Sequence, residues 1–174
     1  MSQLKVNSIV PSGGLPAGAA AGGIIQCVES VKTDTDSTSS TSYIDISGLS
    51  ATITPQSSSS KILVSVIIGV FGNSTQLRGS VYRILRGSTA IGLGDNAVGG
   101  QCTFAGCEPD ASYMGGGRHF MMVDSPATTS ATTYKVQWAT WSNTVYLNRS
   151  SDGSSTQHWN QRGTSRIILM EVSG

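Results

Sequence analysis

Charged residues, histidines and long apolar runs are all scarce in this chain, and each scarcity argues against a class of function. Charged residues make up 12% of the chain and the formal net charge is +1, whereas binding to nucleic-acid phosphates needs clustered lysines and arginines. No apolar run reaches the length of about 20 residues that a membrane-spanning helix requires. We therefore expect no nucleic-acid partner and no insertion into a membrane.

The side chains that could carry catalysis are few and scattered. A nucleophilic triad needs a histidine held between a nucleophile and an acid, and the chain has only His119 and His158. Glycan hydrolysis needs two carboxyl groups about 5 to 9.5 Å apart, and the acidic residues are dispersed along the sequence. No Gly-rich phosphate motif and no zinc-ligand spacing is present, and Asp34-x-Asp36 has the short acidic spacing of a calcium loop without the further acids and the closing Glu. We expect no enzyme activity, no cofactor and no metal.

The three cysteines are an odd number for the disulfide framework of a secreted protein. Reduced thiols made in a cytoplasm fit better. Cys102 and Cys107 fall in the long Gly-rich segment 95–117, where both a free and a paired state fit their spacing. A loop of that length in a compact domain is uncommon and is often functional.

The first 23 residues form an apolar peptide followed by an uncharged tether rich in Gly and Ala. The apolar side chains of the peptide are Leu4, Val6, Ile9 and Val10. The tether cannot bury enough apolar surface to offset its chain entropy, so it is expected to act as a flexible connector. Polar residues interrupt the peptide, which excludes a secretory signal. We predict that residues 1–23 anchor the chain to another protein and that residues 24–174 form one globular head.

Short runs rich in Val, Ile, Thr, Tyr and Trp, separated by Ser, Thr and Gly, predict an all-β head. No segment has apolar residues at helical spacing. The candidate strands are residues 24–32, 42–47, 51–54, 61–71, 77–85, 89–93, 118–123, 132–141, 144–148 and 165–172. This pattern is typical of an antiparallel sandwich or jelly roll.

Two candidate strands are apolar on both faces. Segment 61–71 is predicted to be a central strand covered on both sides. Segment 165–172 is apolar on both faces apart from Arg166 and Glu171, which fits a subunit interface and a central strand of the monomer equally well. The candidate interface residues are Ile167, Leu169 and Met170.

Aromatic side chains near predicted strand ends and loops are candidates for recognition. Flat amphipathic rings stack on sugars or on partner surfaces and are frequent at binding hot spots. Filling the end of the sandwich core is the alternative role. The candidate receptor contacts are Tyr113, Trp141, His158 and Trp159.

Four blocks of the sequence, in their order and spacing, resemble tail-fibre-like proteins of marine bacteriophages, especially those that infect cyanobacteria. The blocks are residues 4–11 (LKVNSIVP), 46–64 (ISGLSATITP through SSSSKILV), 124–136 (DSPATTSATTYKV) and 168–172 (ILMEV). The resemblance leaves out the centre of the chain, roughly residues 73–117, and part of residues 152–163. It implies a virion protein with a jelly-roll head similar to the C1q and TNF-like heads, assembled as a homotrimer with the last strand near the threefold axis.

The resemblance also implies that the N-terminal peptide attaches the head to another virion protein, after assembly in the host cytoplasm. The chain lacks the long shaft repeat or coiled coil of a fibre, so its place on the particle is open. A tail fibre or fibre-like head that contacts a host-surface glycan or protein is the expected function. The alternatives are a capsid decoration or cement protein and a glycan-degrading tail enzyme.

Overall fold

The segments rich in Val, Ile and Thr form strands throughout, and the described part of the chain contains no helix. The structure is a computed structural model that describes residues 22–73, 79–95, 105–107, 117–151, 153 and 160–174. The strands are β1 (Ile24–Lys32), β2 (Asp36–Thr38), β3 (Ile44–Ile53), β4 (Lys61–Ile68), β5 (Phe71–Asn73), β6 (Ser80–Arg86), β7 (Thr89–Ile91), β8 (Ala105–Cys107), β9 (Arg118–Asp124), β10 (Thr132–Thr140), β11 (Val145–Leu147) and β12 (Ser165–Val172).

The strands form two main sheets and one small sheet, all antiparallel. One main sheet has the order β1-β12-β4-β9, and the other has the order β3-β10-β6-β7 with β8 also paired to β6. The small sheet has the order β2-β11-β5. The prediction of an all-β antiparallel jelly-roll sandwich is confirmed.

The core lies between the two main sheets and is built from alternate residues of their strands. Burial alternates along β12 from Ser165 to Glu171, as expected for side chains that point to opposite faces in turn. The largest fully buried side chains include Trp138, Tyr82 and Tyr134. All three come from the sheet that contains β3, and they pack against Ile, Val and Leu side chains of the other sheet.

Two of the differences between predicted and observed strand boundaries lie at glycines. Predicted segments 42–47 and 51–54 belong to one strand, β3, which continues through an irregularity at Gly48. This glycine has a positive φ of 77°, and the register against β10 shifts around it. The predicted strand 61–71 ends at Ile68. There the chain leaves the sheet at Gly69, where a Cβ atom would lie 2.7 Å from the backbone nitrogen of Thr164. The prediction that β4 is a central strand is confirmed by its place between β12 and β9.

The sandwich has two ends with different contents. At the first, called here the proximal end, the Gly22 N–H donates a hydrogen bond to the Ser173 carbonyl at 2.9 Å, and the turns 54–60, 87–88 and 125–131 connect strands. At the other, the distal end, lie the small sheet, residues 141–144 and residues 160–164. Residue 22, where the described chain begins, is therefore at the end opposite to the small sheet.

Candidate functional site

The outer face of the sheet β1-β12-β4-β9, the side turned away from the core, is apolar across all four strands. The register places Cys27, Met170, Leu63 and Val123 in one row across the sheet, and Glu29, Ile168, Ser65 and Met121 in the next row. The edge-strand residues are the most open, with Met121 58% and Val123 60% exposed. We call this surface the apolar face, and its members are Cys27, Leu63, Ile67, Met121, Val123, Ile168 and Met170.

Two polar pairs lie on the apolar face. Ser65 Oγ and His119 Nε2 share a hydrogen bond of 2.7 Å between β4 and β9. Arg166 Nη1 lies 3.1 Å from Glu29 Oε1 between β12 and β1. Each polar group has a partner on the neighbouring strand, so neither pair leaves a lone charge on the apolar face.

The structure corrects two of the three predicted interface residues. Ile167 and Leu169 are fully buried in the core between the sheets, so their side chains cannot reach another subunit. The sequence is apolar on both faces of β12, and the pattern did not distinguish the inward from the outward residues. Met170 alternates with them and lies on the apolar face with Ile168, half-buried among its neighbours.

The opposite surface of the sandwich, on the sheet β3-β10-β6-β7, is polar. Lys135 Nζ donates to Asp45 Oδ2 at 2.7 Å, Gln137 Nε2 donates to Asp45 Oδ1, and Arg83 Nε donates to Gln137 Oε1 at 2.7 Å. The hydrogen bond from Lys135, followed by that from Gln137, holds the pKa of Asp45 below its usual range. The Arg83 guanidinium also lies 4.1 Å from the centre of the Tyr43 ring. A surface of charged and amide side chains joined by hydrogen bonds is typical of a sheet face in contact with water.

Trp141, one of the four candidate receptor contacts, is 75% exposed at the distal end. It directly follows β10, whose Trp138 is only 1% exposed. Sequence reasoning left core filling as the alternative role for Trp141, and the structure excludes it. Tyr113, His158 and Trp159 lie outside the described residues.

A buried asparagine, which the sequence did not single out, holds the distal end together. Asn148 is fully buried with a positive φ of 60°. Its Nδ2 donates to the carbonyls of Lys32 and Asp34, both at 2.9 Å, and its Oδ1 accepts from Ser165 Oγ at 2.7 Å. Its backbone N–H donates to the Val70 carbonyl at 2.6 Å. One side chain thus joins the ends of β1 and β12 to the segment after β11.

A second buried polar cluster lies at the proximal end. Arg86 Nη1 is 2.9 Å from both carboxylate oxygens of Asp124, and the Tyr134 hydroxyl donates to Asp124 Oδ2 at 2.7 Å. Burial, together with the neighbouring carboxylate, raises the pKa of Tyr134 far above its ordinary value. The cluster joins β6, β9 and β10 beside the turn that leads into β10.

The predicted anchor residues Leu4, Val6, Ile9 and Val10 lie outside the described residues, as does Cys102. Cys27 is described and has a free, exposed thiol. Within the described ranges, no three or more His, Cys, Asp or Glu residues are grouped so that they could hold a metal ion. No helix in the same ranges is long and apolar enough to cross a membrane.

Comparison with known proteins gives little similarity. No family model matches the chain, and no curated protein matches it. Among solved structures, the chain is similar to one in the structure of infectious bursal disease virus Gx strain, with a TM-score of 0.36 and 14% identity. The match covers 97% of this chain and 37% of the viral chain, so this chain spans little more than a third of that protein.

Proposed function

We propose that this chain is a structural protein of a bacteriophage virion, in which three copies of the all-β head pack together and the N-terminal arm attaches the trimer to the particle. The apolar face is the observation that carries the proposal. With strands about 4.8 Å apart and about 3.3 Å per residue, the members of the face span roughly 14 Å across the four strands and roughly 13 Å along them. Exposed apolar side chains grouped on one sheet face, with polar pairs among them, are a feature of interaction sites.

The occupant we propose for the apolar face is another copy of the same chain. The opposite sheet carries the network of Asp45, Gln137 and Arg83, which suits contact with water. The apolar face carries exposed Met121 and Val123 on β9, an edge strand with a ladder partner on one side only in the described sheets. In a closed ring, β9 of one protomer would meet the apolar face of the next, so the contact covers an open edge as well as the patch.

The two ends of the sandwich suit a part that is held at one end and makes contact at the other. Gly22 leaves the head at the proximal end, and the loops that carry Trp141 are at the distal end. An arm docked on another virion protein would therefore point the distal loops away from the particle. We propose that these loops contribute to attachment to the host surface.

Sedimentation of the full chain tests the assembly. We expect the mass of three chains for the wild type and of one chain for Met121→Glu, because a carboxylate on the apolar face would be buried without a partner. Ser50→Glu is the matched control, since Ser50 is exposed on β3 opposite Lys135 on the polar sheet. A wild type that stays monomeric at micromolar concentration, or a Ser50→Glu variant that dissociates equally, would contradict the proposed assembly.

Deletion of residues 2–11 tests the attachment. The variant head is expected to remain trimeric but to be missing from purified particles. Labelled wild-type trimer is expected to stain host cells. A trimer that fails to stain cells, together with capsids that rupture more easily in its absence, would favour a cement protein. Loss of chain length in host polysaccharide incubated with the protein would favour a glycan-degrading enzyme.

A further inference from the structure

Trp141 presents an indole ring to solvent from a turn that hydrogen bonds hold in place. The Thr140 N–H donates to the Ser40 carbonyl at 2.9 Å, and Thr140 Oγ1 donates to the Ser142 carbonyl at 3.0 Å. Thr140 itself is fully buried. Asn143 completes the turn with a positive φ of 67°, a conformation that asparagine tolerates better than most residues. The backbone that carries the ring is therefore held in place, and the ring contributes little buried area to the fold.

The described residues beside Trp141 carry hydroxyl and amide groups rather than charges. Segment 38–43 runs antiparallel to residues 140–145, as the pairing of Val145 with Thr38 shows. These two segments contain Ser, Thr and Asn around the aromatic residues and no Asp, Glu, Lys or Arg. Such a surface suits a ligand with many hydroxyl groups and no net charge.

Two cations of the described segments at this end are already engaged. Lys32 is buried and lies 2.7 Å from Asp34 Oδ2 and 3.7 Å from Asp36 Oδ2. The Arg149 guanidinium lies 3.9 Å from the centre of the Tyr146 ring. The charge of Lys32 is offset by carboxylates, and the Arg149 guanidinium is held against an aromatic ring, as is the Arg83 guanidinium against Tyr43 of segment 38–43. These three cations are therefore engaged within the head.

We propose that Trp141 is the stacking platform of a binding site for neutral saccharides at the distal end of the head. The apolar face of a sugar ring would lie on the indole, and hydroxyl and amide groups of the adjoining segments would bond its edge. Trp141 follows β10, in the sheet that does not carry the apolar face. Assembly through the apolar face would thus leave three Trp141 rings exposed on the same end of one trimer, so weak single sites would act together.

This proposal rests on the proposed function, and an array of neutral and anionic oligosaccharides tests it with the full-length trimer. We expect binding to neutral members of the array. Trp141→Ala should weaken that binding by at least about tenfold, as for a hot-spot aromatic, and Trp141→Phe should retain part of it. Thr129→Ala is the matched control, because Thr129 is exposed at the proximal end, and it should bind like the wild type.

The mass of each variant is measured alongside, so that loss of the trimer and loss of the site are told apart. A wild-type trimer of the expected mass that binds no saccharide would overturn the saccharide site and leave the assembly standing. So would equal binding by Trp141→Ala, or binding confined to anionic sugars. Attachment to cells that protease treatment abolishes would assign the ring to a protein partner and overturn the saccharide site.

Discussion

Ser165 and Asn148 are joined inside the distal end of the sandwich by a hydrogen bond of 2.7 Å from the serine hydroxyl to Asn148 Oδ1. Ser165 begins β12, and its hydroxyl also accepts from the Gly69 N–H at 3.2 Å. Asn148 follows β11 and reaches back to the chain just beyond β1. The pair thus connects three segments that are distant in sequence, and its polar groups are satisfied where water cannot supply partners.

Replacing Asn148 with Ala should lower the free energy of unfolding by about 2–4 kcal/mol, because two backbone carbonyls and a serine hydroxyl lose their partner in the interior. A positive φ adds strain for alanine. Asn143→Ala is the matched control: Asn143 has a similar φ but is exposed, so only the strain, about 1 kcal/mol, is expected. Urea denaturation measures both, and equal losses in the two variants would contradict a role for the buried hydrogen bonds.

Stability should fall at alkaline pH because of Tyr134. Burial and the Asp124 carboxylate raise the pKa of Tyr134 in the folded state, while an unfolded tyrosine ionises near pH 10. Above that pH the unfolded chain loses a proton that the folded chain keeps, so the stability that is complete below pH 10 declines as pH rises.

The part of the alkaline loss of stability that is due to Tyr134 can be isolated by substitution. Tyr134→Phe should remove this part of the decline, and it should cost about 1–3 kcal/mol at neutral pH through the lost bond to Asp124. Tyr146→Phe keeps the Tyr134–Asp124 pair and should retain the decline. Unfolding curves between neutral and alkaline pH that run parallel for the wild type and Tyr134→Phe would refute this assignment.

Adjacent residues of β12 should respond to truncation in different ways. Leu169→Ala removes a fully buried side chain and should lower the free energy of unfolding by about 3 kcal/mol. Ile168→Ala removes a half-buried side chain of the apolar face, so it should affect the unfolding of one chain less and weaken association more. Thermal unfolding and sedimentation of the two variants measure the two effects, and a larger association defect for Leu169→Ala would restore the original interface assignment.

Glu171 is fully buried at the end of β12, with one carboxylate oxygen unsatisfied. Oε1 accepts the Gln56 N–H at 2.7 Å, whereas Oε2, like the buried Ser60 Oγ, has no hydrogen-bond partner among the described residues. A buried carboxylate oxygen without a hydrogen-bond donor costs free energy. Glu171→Gln keeps an oxygen for Gln56 and should raise stability by about 1 kcal/mol at neutral pH. Glu29→Gln, which loses only the exposed pair with Arg166, should change stability by less than about 1 kcal/mol in urea denaturation. A less stable Glu171→Gln would show that the carboxylate is needed there.

Alternation and turn residues were enough to place β1 and β12, whose predicted bounds match the structure. Local sequence did not place β2, because Asp36–Thr38 is polar and becomes a strand only by pairing with Val145–Leu147. The predicted strands 42–47 and 51–54 leave Gly48 between them, and glycine is common in both turns and bulges. Which of these it forms depends on the partner strand β10.

The two faces of β12 show more clearly what could not be predicted from the sequence. Ile167 and Ile168 have the same side chain, and only the position of the second sheet makes one of them core and the other surface. Trp141 was a candidate receptor contact from its place near a strand end, with core filling as the alternative, and its exposure is seen only in the structure. The importance of Asn148 was not predicted, because an asparagine after a strand looks like an ordinary turn residue until its distant partners are known.

The pairing of Gly22 with Ser173 has a mechanical consequence. β1 starts two residues after Gly22 and runs antiparallel to β12 from Ile24 opposite Val172 to Lys32 opposite Ser165. A pull on Gly22 that is resisted at the distal end acts along the axis of β1. The hydrogen bonds between the two strands would then be loaded in shear and would share the force, rather than open one after another from the end.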